Sequence, residues 1–135
     1  MTKKFLKKII AQTPGDLNFV SMCVSGSKVK LSDIKYLPKN KIFILSLERY
    51  KRETQEKKSK INSIIKFEFI ESSKSKNIDQ NNQNLLLELL AIDILKRDHN
   101  FEITLLFSKN RFITLATEVI EVTLEDQKLE DDKIN

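Results

Sequence analysis

FEITLLFSKNRFITLAT, residues 101–117, decides the architecture. FEITLLF alternates apolar and polar side chains, Lys109-Asn110 makes a compact turn, and RFITLAT returns with the same period. A period of two with a short polar reversal is the pattern of an antiparallel hairpin. On its N-terminal side stands LLLELLAIDIL, 85–95. The leucine run and its length suit a buried helix, whereas its neighbours argue for a strand, so both readings stay open. On the C-terminal side the signal also splits. Ile120, Val122 and Leu124 alternate as in a strand, and Ile120, Leu124 and the later charges also permit an amphipathic helix to residue 129.

Further out, INSIIKFEFIES (61–72) alternates, with Ile65, Phe67 and Phe69 on one side, and reads as a half-buried strand followed by a polar loop. Pro38-Lys39-Asn40 reverses the chain between an Ile34–Leu37 segment and KIFILSLERY (41–50), whose apolar run from Ile42 to Leu45 suits a strand covered on both faces. Thr13-Pro14-Gly15-Asp16 is a helix start. Threonine caps, proline suits the first helical position, and aspartate sits at the positive end of the helix dipole. Leu17, Val20 and Val24 follow at helical spacing and Gly26 can stop the helix, which is expected over 14–24. Phe5–Ile10 is expected as a short first strand. The fold class is therefore α+β: a mainly antiparallel, curved or barrel-like sheet of six to seven strands, an early helix, and a C-terminal helix or strand.

Composition sets the outer limits. At 135 residues the chain suits one domain, expected over 1–126, with an acidic, frayed tail over 127–135. An apolar fraction of 40% supports a packed core without metal or disulfides. Cys23 is the single cysteine, so neither an intramolecular disulfide nor a cysteine metal cluster can form, and its apolar neighbours point to a buried thiol. Lys7 and Lys8 interrupt MTKKFLKKII as a secretion signal, and no window is apolar enough to span a bilayer. A cytoplasmic location with no membrane partner is expected. The net charge of +5 is uneven: residues 1–117 hold 22 basic and 12 acidic side chains, and 118–135 hold two basic and seven acidic. That asymmetry permits an anionic partner, and equally an acidic tail lying across the chain's own basic face.

KLSDIKYLPKNKIFILSLERY (30–50) resembles the most characteristic block of an uncharacterised family found mainly in alphaproteobacteria, domain of unknown function 2948. The matching positions are Asp33, Ile34, Tyr36, Leu37, Pro38, Phe43, Arg49 and Tyr50. IIKFEFIESSKSKNID, LLELLAI and FEITLLFSKNRFITLATEVIEVTLED are similar to later blocks, in matching order over roughly residues 5–126. The chain departs from the family pattern where a tryptophan is expected near Arg52, and where Lys109 and Asn110 replace glycines. The resemblance implies strands for 85–95 and 101–117 and a helix-like ending after Glu118; it implies no activity.

For chemistry the chain offers little. His99, the only histidine, lies in a polar turn, and no glycine-rich phosphate loop exists. One histidine and one cysteine cannot build a structural zinc site, and Glu88 and Asp93 lack a third carboxylate at useful spacing for magnesium. No catalytic residue, metal or cofactor is expected. The candidate contact surface is Arg49, Tyr50, Lys51, Arg52, Lys57, Lys58 and Lys60, with Lys74 and Lys76 able to extend one basic rim. Arg49 suits either an internal salt bridge or an interface. The expected role is a non-catalytic protein-interaction or regulatory module with an unidentified protein partner. The alternative is sequence-independent nucleic-acid binding through the rim from Arg49 to Lys60, with Tyr50 as a stacking face. An enzyme of unfamiliar type is a third reading, and oligomeric state is left open.

Overall fold

A computed structural model describes residues 7–50 and 60–127. The chain order is β1 (Lys8–Ala11), α1 (Pro14–Val24), β2 (Ser27–Lys30), a 3-10 turn (Leu31–Asp33), β3 (Ile34–Leu37), β4 (Ile42–Tyr50), β5 (Lys60–Phe67), β6 (Ile70–Lys76), β7 (Leu86–Lys96), β8 (Phe101–Phe107), β9 (Arg111–Thr117) and β10 (Val122–Asp126). All strands belong to one antiparallel sheet of order β1-β10-β5-β4-β2-β7-β8-β9-β6, with β3 beside β4.

The helix occupies the expected residues for the expected reason. The Asp16 N–H donates to Thr13 Oγ1 at 3.1 Å, and the Asp16 carboxylate reaches back to the Gln12 N–H at 3.1 Å, so two end groups are satisfied by side chains. Gly26 closes the element at φ 85. Thr13→Ala is expected to lower stability by about 1 kcal/mol, read as a shift of the urea midpoint at unchanged slope. Leu17, Val20, Cys23 and Val24 face the core. The buried thiol of Cys23 agrees with the sequence reading.

The 101–117 hairpin forms as read. Lys109 and Asn110 both take positive φ, 64 and 58, so the turn twists with the strands. Residues 85–95 resolve to strand, because β7 lies between β2 and β8 and buries Leu87, Leu89 and Ile92. A bulge between Leu89 and Ala91 shifts its phase. Where β2 stops pairing, α1 takes over the edge, and the Ile92 N–H donates to Ser21 Oγ at 2.8 Å.

Two expectations need correction, and the reading left open at the C-terminus is decided. The sheet has ten strands, not six to seven, because β2 is a four-residue strand too short to show a period and because 61–72 divides into two strands. That division falls at Phe69, which takes φ 62, stands half exposed, and turns the chain from β5 toward β9. No C-terminal helix forms among the described residues. Val122–Asp126 instead inserts between β1 and β5, and Val122, Leu124 and Asp126 point inward. Finally, the sheet is open rather than barrel-like: β1 and β6 end its order, and the described residues show no pairing between them.

The core is one cluster drawn from α1 and strands of both halves of the sheet. At its centre Phe43 and Phe67 meet edge to face, with ring centroids 5.9 Å apart. Near the β5–β6 corner, the Tyr36 hydroxyl donates to the Ile70 carbonyl at 2.9 Å and the Ile70 N–H donates to the Lys41 carbonyl at 2.8 Å.

Candidate interaction surface

On β4 the inward positions are Phe43, Leu45, Leu47 and, in the same phase, Arg49. Strand alternation therefore drives a guanidinium into the core, where it requires a charged partner. Asp126 supplies it from β10, two strands away. Arg49 Nη2 lies 3.0 Å from both Oδ1 and Oδ2, and Nε lies 3.1 Å from Oδ1. On the intervening β5, the Ser63 hydroxyl donates to Asp126 Oδ1 at 2.7 Å and accepts from Arg49 Nε at 3.1 Å. The Lys7 N–H binds Asp126 Oδ2 at 3.0 Å. Both ionic side chains have zero exposure. Arg49 is thus a structural residue holding β4, β5 and β10 together, and it is withdrawn from the contact surface the sequence suggested.

Tyr50 and Lys60 remain on the outer side. They are register partners at the end of the β4–β5 pair, with Lys60 Nζ 5.4 Å from the Tyr50 ring centroid and 3.8 Å from Glu48 Oε1. Lys51, Arg52, Lys57 and Lys58 lie outside the described residues. Lys74 and Lys76 do not extend this end into one rim. They belong to β6, beyond the full length of β5, about 23 Å at ~3.3 Å per residue, and they pair with β9.

Beside Tyr50 and Lys60 the outer faces of β2, β4 and β5 form an open cleft of about 720 Å³. It exists because β2 pairs with β4 only at Lys28↔Glu48 before the chain turns away through Leu31–Asp33. Lys28, Lys30, Asp33, Glu48, Asn62 and Leu86 line it. Lys28, Glu48 and Asn62 stand on one rung across the three strands, and Leu86 is 57% exposed at the margin. Paired signs of charge around an exposed leucine give a surface with both polar and apolar contacts to offer. The cleft went unseen in the sequence because Lys28 and Lys30 sit in a four-residue strand whose partner is settled only by long-range pairing.

The other residues weighed for chemistry do not converge. His99 is exposed in its turn, Glu88 and Asp93 face solvent on β7, and the described residues contain no group of three or more metal-ligating side chains. No helix among the described residues is long and apolar enough to cross a membrane.

Among the described residues these features define an open antiparallel sheet carrying one α-helix, with a mixed-charge outer cleft and an internally neutralised arginine. The chain belongs to the family described as Protein of unknown function (DUF2948), whose model matches residues 7–133. No curated protein is similar in sequence. Among solved structures, an uncharacterized protein from Neisseria gonorrhoeae is similar at 15% identity and a TM-score of 0.44, over 88% of this chain and 97% of that one.

Proposed function

We propose that the chain is a non-catalytic cytoplasmic protein-interaction or regulatory module whose contact surface is the outer face of β2, β4 and β5, from the cleft to the Tyr50–Lys60 end. The observation that carries this reading is the lining of the cleft: two lysines, two carboxylates, two amides and an exposed leucine within one concavity. Such a lining suits a protein surface of complementary polarity better than a uniformly anionic polymer, because Asp33 and Glu48 would oppose phosphates where Lys28 and Lys30 attract them. A bacterial origin and a reducing compartment accord with the family resemblance and the lone buried thiol.

The second reading, sequence-independent nucleic-acid binding, draws support from Lys60 lying over the Tyr50 ring at the point where the basic 51–58 segment leaves β4. A cation beside a stacking face is a common element of single-strand sites. Salt separates the two. In affinity purification of the tagged protein at low and moderate salt, with and without nuclease, a stoichiometric protein partner that survives both treatments is expected. Co-purifying RNA or DNA that is lost with salt, and abolished by Lys57→Glu, Lys58→Glu and Lys60→Glu together, would establish the nucleic-acid reading instead.

A further inference from the structure

A second concavity shares the Leu31–Asp33 turn with the cleft and lies where the open sheet leaves β3 and β6 without a strand between them. It is a pit of about 250 Å³ lined by Leu31, Ile34, Tyr36, Phe43, Ser73, Ser75, Gln80, Gln83 and Ile113. Its floor is core: Leu31, Phe43 and Ile113 are all buried. Its walls break the sheet's own pattern. In the β6–β9 register Ser73 is opposite Leu115 and Ser75 is opposite Ile113, so two serines occupy positions whose cross-strand partners face the core. Apolar side chains there would have filled the space; serines leave it open and line it with hydroxyls.

The mouth is framed by a pinned segment. Ile78 packs against the core, Gln80 Nε2 donates to Ser75 Oγ at 3.0 Å, and Gln83 Nε2 donates to the Gln80 carbonyl at 2.6 Å. The Gln83 carbonyl in turn accepts from the Ser32 N–H at 3.1 Å. These bonds use one N–H of each glutamine amide. The Oε1 atoms of Gln80 and Gln83 and the hydroxyl protons of Ser73 and Ser75 supply acceptors and donors at the rim. Among the described residues no charged side chain lines the pit.

We propose that this pit is a binding site for a small neutral ligand with an apolar body and a single amide or alcohol head. The body would rest on Phe43, Ile113 and Leu31, and the head would exchange hydrogen bonds with Ser73, Ser75 and the two glutamine amides. Charged ligands are disfavoured because entry desolvates their charge with no counter-ion present. The volume is below the range typical of drug-sized ligands, which restricts the occupant to about the size of a substituted single ring. This proposal is independent of the interaction surface on β2, β4 and β5.

The test is a titration of the intact protein with benzamide, followed by amide NMR shifts, beside benzoate and benzylamine as charged analogues of the same shape. Saturable shifts at residues 36, 73, 75, 80 and 83 are expected with benzamide, at an affinity at least about tenfold above either charged analogue. Ser73→Val with Ser75→Val fills the pit and should abolish the shifts without lowering Tm. Gln80→Ala, which leaves the core untouched, should weaken binding severalfold. Absence of saturable shifts, equal response to all three probes, or undiminished binding by both variants would show the pit to be a packing gap and overturn the proposal.

Discussion

Asp126→Ala is expected to lower the unfolding free energy by about 3–5 kcal/mol, because it strands the Arg49 guanidinium in the core with its main carboxylate removed. Glu125→Ala, one residue earlier and outward-facing, should change stability by less than ~0.5 kcal/mol. The pair itself need not be the most stable solution. Arg49→Met combined with Asp126→Leu should recover most of the loss, since two apolar side chains of similar volume avoid desolvating two charges. Urea unfolding of the three variants checks this ordering. Salt supplies a second check: the Arg49–Asp126 contact is fully enclosed, whereas Lys60–Glu48 is about half exposed. The Asp126→Ala penalty should persist at ~1 M salt, where surface pairs are screened.

The other large expected effect is at Phe43. Phe43→Ala should cost about 3–5 kcal/mol, since it empties a buried site and removes the edge-to-face contact with Phe67. Ser46→Ala on the same strand, exposed and outward-facing, should stay within ~0.5 kcal/mol. Two substitutions on β4 would then differ by several kcal/mol according to phase alone. Unfolding monitored by tyrosine fluorescence suits the comparison, because Tyr36 and Tyr50 lie on the adjoining β3 and at the end of β4.

What the sequence disclosed depended on how local the cause was. The helix was legible to the residue because its start is written in four consecutive side chains, Thr13 to Asp16, and its stop in Gly26. The 101–117 hairpin was legible because both strands alternate without interruption and only two residues turn them. Residues 85–95 stayed ambiguous because the leucine run and its length suit a helix equally well, and the bulge after Leu89, which shifts the buried phase to Ile92, breaks the period of two that would mark a strand. The corner at Phe69 escaped notice because a phenylalanine at positive φ is a choice forced by tertiary packing, and nothing local announces it.

The candidate site shows the same division. Tyr50 and Lys60, both named in the candidate contact surface, lie together at the shared end of β4 and β5. Arg49 was read as either an internal salt bridge or a contact residue, and its phase with Phe43, Leu45 and Leu47 favours the first; what could not be seen was its partner 77 residues away. Asp126 had been read with a charged C-terminus. One carboxylate of that acidic stretch does meet a basic residue of the body, but inside the core and not across the surface.

The interaction surface is tested most directly by repeating the affinity purification, at moderate salt and after nuclease, with Lys28→Glu, Lys30→Glu and Lys60→Glu combined in one chain. All three side chains are on the outer face, so folding should be retained, and an unchanged circular dichroism spectrum would verify it. A stoichiometric protein retained by the unmodified chain and lost from the triple variant is the predicted result. Retention of the same protein by both chains, or of no protein by either, would contradict the account.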